Sequence, residues 1–290
     1  MNPSLLSSQD GYVILYRMSD LKGVYPTVKK NGAPSYRASI TYRGKHISLG
    51  SYDSKKVAAE AFAYAKKVLH DDAIGIADYV KSEPLPFEKF VVLVNFRDKK
   101  MYIATPIYLD QKFFRYYLDE RRVLTFDTDD LFYYSSHKIM CRGSHLFVAD
   151  YGSQVNILNR YGIKSYAVEG RDYRFINGDP YDFRYENIEI INRYHGVRQY
   201  AKKGFQRYKA VIHIGSNFVV GHYNSENEAA IAYNKAADLL KGAGIRRDFF
   251  QNYIEDIPAK EYAEIYSGIR VSQKILDLCA SKKKTEPEQV

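Results

Sequence analysis

Tryptophan is absent from the sequence, and cysteine occurs only twice, at Cys141 and Cys279. Two thiols are too few for a disulfide framework or a four-cysteine zinc site; both are expected to be inert, partly buried thiols. No apolar run approaches the length that spans a bilayer. Met1–Asp10 has neither a basic n-region nor an apolar h-region, so no signal peptide is expected and the cytosol is the expected compartment.

Acidic residues are scarce in two particular stretches. Over the 290 residues, 43 Lys and Arg stand against 34 Asp and Glu, a net charge of +9. From Leu21 to His70 there are 10 basic residues against 2 acidic ones, and from Tyr194 to Arg247 there are 9 against 3. Between them, Pro84 to Arg193 is nearly balanced at 16 against 15. Positive charge sorted into two blocks points to a polyanionic partner more strongly than net charge alone.

The two basic blocks are one sequence repeated. Gly23-Val24 returns as Gly196-Val197, and Lys29-Lys30 as Lys202-Lys203. Tyr36, Ala38 and Ile40 return as Tyr208, Ala210 and Ile212; Gly50, Tyr52 and Ser54 return as Gly221, Tyr223 and Ser225. Ala58, Ala59, Ala61, Ala65 and Leu69 return as Ala229, Ala230, Ala232, Ala236 and Leu240. The offset falls from 173 to 172 to 171, and both losses can sit in turns, where deletions are tolerated.

Each copy reads as three short strands and a helix. In the first, strands over about 23–29, 36–42 and 45–49 are separated by the Asn31-Gly32 and Arg43-Gly44 turns. Ala38, Ile40, Ile47 and Leu49 alternate onto one face. Asp53 or Ser54 then caps a helix whose apolar stripe is Val57, Ala58, Ala61, Ala65, Val68 and Leu69. The helix covers one sheet face and leaves the other bare, polar and basic: Tyr25, Thr27, Lys29, Arg37, Ser39, Thr41, His46 and Ser48. A single such face reads as a solvated surface; duplicated within two basic blocks, it reads as a contact surface.

These two stretches resemble APETALA2/ERF-type DNA-binding domains. Gly23-Val24, Tyr36-Arg37-Ala38-Ser39-Ile40, Leu49-Gly50-Ser51-Tyr52-Asp53-Ser54 and Ala58-Ala59-Glu60-Ala61 carry the resemblance in the first copy. In the second it is carried by Gly196-Val197-Arg198, Tyr208-Lys209-Ala210-Val211-Ile212, Gly221-His222-Tyr223 and Ala229-Ala230-Ile231-Ala232-Tyr233. The resemblance implies that the bare sheet face lies in the major groove of double-stranded DNA. By position, the implied readers are Tyr25, Thr27, Arg37, Ser39, Thr41, His46 and Ser48, and in the second copy Arg198, Tyr200, Lys209, Val211, His213, Asn217 and Val219. Lys29, Lys30, Lys202 and Lys203 are expected on phosphates, which position a module without reading sequence. The family is usually richer in arginine and tryptophan on this face.

The stretch Ile176 to Ile188 resembles the ββα-metal HNH motif of homing endonucleases, which often accompanies an APETALA2-like module. Phe126 to Phe132 resembles the opening strand of such domains, and Asp182, Arg184 and Asn187 match its scaffold positions. A nuclease of this kind needs an acidic ligand beside a histidine base just before the glycine turn. Arg174 and Phe175 stand there, and the later metal-ligand asparagine falls at Gly196. No catalytic residue, metal site or cofactor is therefore expected. His137 and His145 around Cys141 read as polar strand ends rather than metal ligands. His195 and Arg198 fit the His-x-x-Arg spacing of tyrosine recombinases, a match only four residues long.

Beyond Arg246, Ile265, Ile269, Ser272, Ile275, Leu276 and Cys279 form a helical stripe that packs on the preceding domain or forms a homodimer contact. The charged stretch Lys282–Val290 is expected to be disordered, with Lys282-Lys283-Lys284 adding nonspecific attraction to phosphates. The expected organisation is α+β: an APETALA2/ERF-like module over 1–83, a degenerate HNH-like domain over 84–193, a second module over 194–247 and a helical extension over 248–290. The expected function is sequence-specific DNA binding by a bacterial or phage regulator derived from a homing endonuclease. The alternatives are an HNH-type nicking endonuclease with a rearranged site and a non-specific architectural protein.

Overall fold

The computed structural model describes residues 22–283; Met1–Asp10 and the tail from Lys284 to Val290 lie outside them. The described residues form a mixed α+β structure of small antiparallel sheets and short helices. None of these helices is long and apolar enough to cross a membrane. The chain divides into two compact units, one of Met1–Val155 with Pro180–Arg184, the other of Asn156–Asp179 with Tyr185–Val290. Residues 84–193, expected as one domain, fall partly in each unit.

The first unit begins with β1 (Val24–Val28), β2 (Pro34–Tyr42) and β3 (Lys45–Tyr52), an antiparallel sheet in sequence order, followed by helix α1 (Lys55–His70). Arg43 and Gly44 both take positive φ, 48° and 76°, as a two-residue turn matched to strand twist requires. The Ser54 hydroxyl caps α1 by accepting from the Lys56 amide at 3.2 Å. Ala58, Ala61 and Ala65 are fully buried with Val68 and Leu69, so only methyl groups separate most of the helix from the sheet. At the start of β1 the approach is closest. Gly23 has φ +82°, and a Cβ there would lie 2.3 Å from the Phe62 ring.

Helix α2 (Phe87–Lys99) adds Phe90, Leu93, Val94 and Phe96 to the same core. Its buried Arg97 spans three carbonyls at the end of α1: Nη1 donates to Val68 and Asp71 at 2.8 and 2.7 Å, and Nη2 to Ile74 at 2.8 Å. Its Nε pairs with Asp98 at 2.7 Å. The guanidinium thereby supplies donors to carbonyls that a helix end leaves without partners. The sheet of β4 (Ile107–Leu109), β5 (Phe113–Tyr117) and β6 (Val123–Asp127) follows, then the short helix α3 (Leu131–Ser136). Phe126 stacks on Phe114 and Phe183 at 5.4 and 5.3 Å and lies 4.4 Å from Tyr134. Phe183 arrives on the 180–184 stretch, whose backbone bonds to both sides of Thr125. A third sheet, β7 (Ile139–Arg142), β8 (His145–Asp150) and β9 (Ser153–Asn156), completes the region.

In the second unit, the hairpin of β10 (Tyr173–Phe175) and β11 (Ile188–Ile190) is followed by β12 (Val197–Lys202), β13 (Phe205–Ile214), β14 (Ser216–Tyr223) and helix α4 (Glu226–Gly242). No α-helix lies between β11 and β12. The sheet, its order and its covering helix repeat those of the first module. Both deletions inferred from the drifting offset fall in turns. Lys203-Gly204 is a two-residue turn where the first copy has a longer loop, and Gly215 alone replaces Arg43-Gly44. Gly196, at φ +74°, repeats Gly23, with Tyr233 in place of Phe62.

Helices α5 (Ala259–Gly268) and α6 (Gln273–Lys283) close the unit. Ile275 is fully buried, and Ile265, Ile269, Leu278 and Cys279 pack against the module's own core. Most of the stripe is thus packed within the module, while Leu276 of the same stripe is exposed. The preceding segment also shields the outer edge of β14: Ser272 donates to the Val220 and Val219 carbonyls at 2.6 and 2.7 Å.

Replacing Arg97 by Met leaves three carbonyls and Asp98 without their shared donor. The expected loss of stability is about 3 kcal/mol, read as a lower urea midpoint at unchanged m-value; an unchanged midpoint contradicts the role given to Arg97.

Candidate nucleic-acid interface

Strand alternation decides which side chains reach the uncovered face of each sheet. In the first module, β-pairing places Tyr25, Arg37 and Ser51 in one row, Thr27 beside Ser35, Ser39 beside Ser48, and Thr41 beside His46. In the second, the rows are Arg198, Lys209 and His222; Tyr200 and Arg207; Val211 and Val219; His213 and Asn217. The third strand of each sheet carries a bulge at the same place, opposite the Ala38–Ser39 step in the first module and the Ala210–Val211 step in the second. There Leu49 and Gly50 oppose Ala38, and Val220 and Gly221 oppose Ala210. Such a bulge raises the local right-handed twist and shifts the alternation of the strand by one residue.

That shift explains residues missed in the sequence. Unbroken alternation turns Ser51 and His222 inward, but the bulge brings them to the bare face beside Arg37 and Lys209. Arg207 was overlooked although it alternates with Lys209; its pairing with Tyr200 across the sheet puts it on that face. The Leu-Gly and Val-Gly pairs were the only sequence signal for the bulges.

Tyr25, Lys29, Arg37, Thr41, His46 and Ser48 are exposed, with Thr27 partly so. In the second module Lys202, His213, Asn217 and Val219 are exposed, and Arg198, Tyr200 and Lys209 are partly exposed. Two residues depart from the expectation of an open side chain. Ser39 is 3% exposed and Val211 8%. Both sit in the middle strand just past the bulge, and their amides bond to the Gly23 and Gly196 carbonyls at 2.9 and 2.7 Å. Ser39 is too short to rise between Arg37 and Thr41, and Val211 lines the floor of a cleft. Lys29 is engaged by Asp53 at 2.5 Å, an exposed pair of small energetic weight.

Neighbouring groups orient the polar tips. Tyr200 Oη and His222 Nδ1 are 2.8 Å apart, His213 Nδ1 and Asn217 Oδ1 3.0 Å, and Thr41 Oγ1 and His46 Nδ1 3.4 Å. Donation from His213 Nδ1 to Asn217 leaves Nε2 as an acceptor when the ring is neutral and a donor when it is charged.

The nuclease-like positions are occupied by structural contacts. Arg174 pairs with Glu189 across the β10–β11 rung, and Phe175 is buried. Asn187 Oδ1 accepts from the Asn177 amide at 2.8 Å, bracing the turn. Asp182 holds Arg184 through both carboxylate oxygens, at 2.9 and 2.7 Å. Among the described residues, no group of three or more His, Cys, Asp or Glu is placed to hold a metal ion. Cys141 Sγ donates to the Gly143 carbonyl at 2.9 Å and accepts from Arg122 at 3.1 Å, while His137 stacks on Tyr133.

His195 is part of the packing beneath the second sheet. Its ring meets Tyr166 and Tyr233 edge-on at 5.0 and 5.3 Å. Burial, reinforced by the neighbouring Arg171, lowers its pKa below the ordinary 6.5, with Asp172 opposing. The unfolded chain then takes up a proton that the folded chain refuses, so stability falls as pH drops through the ordinary histidine range. The imidazole of His195 is expected to titrate below the ordinary histidine value in an NMR series. His195→Gln is expected to reduce the loss of denaturant midpoint between about pH 7.5 and 5.5; an unchanged pH dependence contradicts this.

The chain matches no protein-family model, no curated protein and no solved structure.

Proposed function

We propose that the chain is a sequence-specific double-stranded-DNA-binding protein, a regulator that reads DNA through the uncovered faces of its two sheets and does not cut it. The observation that carries this reading is the duplication itself: twice, an alanine-rich helix covers one side of a three-stranded sheet, and twice the other side presents cations and hydrogen-bonding tips.

The chemistry of these faces suits a major groove, which admits a β-ribbon or small sheet and shows a distinct donor and acceptor pattern for each base pair. Arg37 and Arg198 stand in equivalent rows, and a guanidinium pairs bidentately with guanine O6 and N7. His46, His213 and Asn217 sit on the second row pair as shorter readers. Lys30, Arg43, Lys45, Lys202 and Lys203 lie in or beside turns at the ends of the sheets, where phosphates flank a groove. Two linked modules gain affinity through effective concentration without any further contact.

Replacement of Arg37 or Arg198 by Ala is expected to cost about 1–3 kcal/mol on the preferred site and to relax preference at one base pair. Replacement of Lys202 or Lys203 is expected to weaken all sequences alike and to reduce the salt slope. Fluorescence anisotropy over a salt series separates the two classes. Binding that does not weaken with salt, or Mg²⁺-dependent nicking of plasmid by the purified protein, overturns the reading.

A further inference from the structure

The second module differs from the first by a loop that the repeat does not contain. Tyr166, Arg171 and Asp172 join Arg198, Val211, His213 and Asn217 around a cleft of about 150 Å³ at one end of the β12–β14 face. The loop is fastened to the sheet. Asn192, buried, donates through Nδ2 to the Arg171 carbonyl at 2.6 Å and accepts at Oδ1 from the Gln199 amide of β12 at 2.7 Å. The Ile191 and Asn192 amides both donate to the Asp172 carbonyl, at 2.8 and 3.0 Å. Gln199 lies between Arg198 and Tyr200, so the same bolt fixes the loop against two face residues.

Within the loop, the Arg171 guanidinium is held on one side only. Nε lies 3.0 Å from both Asp172 oxygens and Nη2 2.5 Å from Oδ2, while Asp172 is 5% exposed and also accepts from the Val168 amide at 2.9 Å. The Arg171 side chain is 45% exposed. Nη1 has no hydrogen-bond partner among the described residues. A guanidinium whose orientation is set by a buried carboxylate, with an N–H edge left open on a cleft that Arg198 also lines, has the geometry that receives an anion.

We propose that Arg171 holds one backbone phosphate of the bound DNA beside the base pair that Arg198 reads, so that the second module holds its half-site by a contact with no counterpart among the described residues of the first module. This rests on the DNA-binding reading above. The phosphate is favoured over a base because Arg171 stands on a loop at the end of the face, outside the sheet rows that enter the groove. The two half-sites are then unequal: the second module keeps its grip at salt concentrations that release the first.

Salt-dependent binding of the full chain to its selected duplex tests this, with Arg171→Ala compared with wild type. The expected result is an affinity loss of about tenfold, on the scale of one charge-assisted hydrogen bond. The slope of log K against log salt is expected to shrink by about 0.9, one phosphate, and the base preference to stay unchanged. Since Arg171→Ala leaves Asp172 buried without its partner, the double variant Arg171→Gln/Asp172→Asn keeps a neutral hydrogen-bonded pair of similar shape and is expected to show the same slope change. Phosphate ethylation interference is expected to lose one position on the second half-site in either variant. An unchanged slope in the folded double variant overturns the phosphate contact, as does a changed base preference, which marks Arg171 as a reader. Failure of wild type to bind any duplex overturns the DNA-binding reading instead.

Discussion

A three-stranded sheet with one apolar face must bury that face against something else. In each module that partner is a helix lined with alanine, and the close approach it allows governs the rest of the surface. Gly23 and Gly196 mark how tight the fit is, since each lies where a methyl group has no room beside an aromatic ring of the helix. The core on that side is completed by α2 in the first module and by the C-terminal helices in the second. With the covered side carrying the folding, the opposite side is free to hold arginine, lysine, histidine and hydroxyl groups.

Charge follows the same division. The basic excess lies in the two repeated blocks, while the region between them uses its charges in pairs: Arg97 with Asp98, Arg115 with Asp110, Arg184 with Asp182, Arg174 with Glu189. Those arginines are consumed as structural ties. Among the described residues, the arginines and lysines of the sheet faces mostly lack such partners, and the His–Asn and Tyr–His pairs orient tips toward the outside. The two faces are not identical. The second is bordered by an anchored loop that brings Arg171 and a buried carboxylate to its end, and the first has no counterpart among the described residues.

Much of the module architecture was legible in the sequence because the chain states it twice. Drifting offsets located two turns, alternation separated Ile40 and Ile47 from Arg37 and His46, and Ser54 marked the start of the helix. The bulge was not legible, since one inserted residue reverses the alternation beyond it; this hid Ser51 and His222. Ser39 and Val211 are less exposed than alternation suggests, because alternation reports the side of a strand, not the height of neighbouring side chains. The central region was the least readable. Its core is built from aromatic contacts among Phe114, Phe126, Tyr134 and Phe183, residues far apart in sequence, and its division between two units has no local signal. Arg171 gave none either, because its significance comes from the bolt that Asn192 makes to β12.

The central claim is that the uncovered sheet faces read DNA sequence. Selection of bound duplexes from a fully randomised pool, by the full chain at near-physiological salt, tests it most directly. The account predicts enrichment of a motif with two separate half-sites, each containing at least one guanine-bearing base pair. Recovery of no motif, or of no duplex at all, contradicts it.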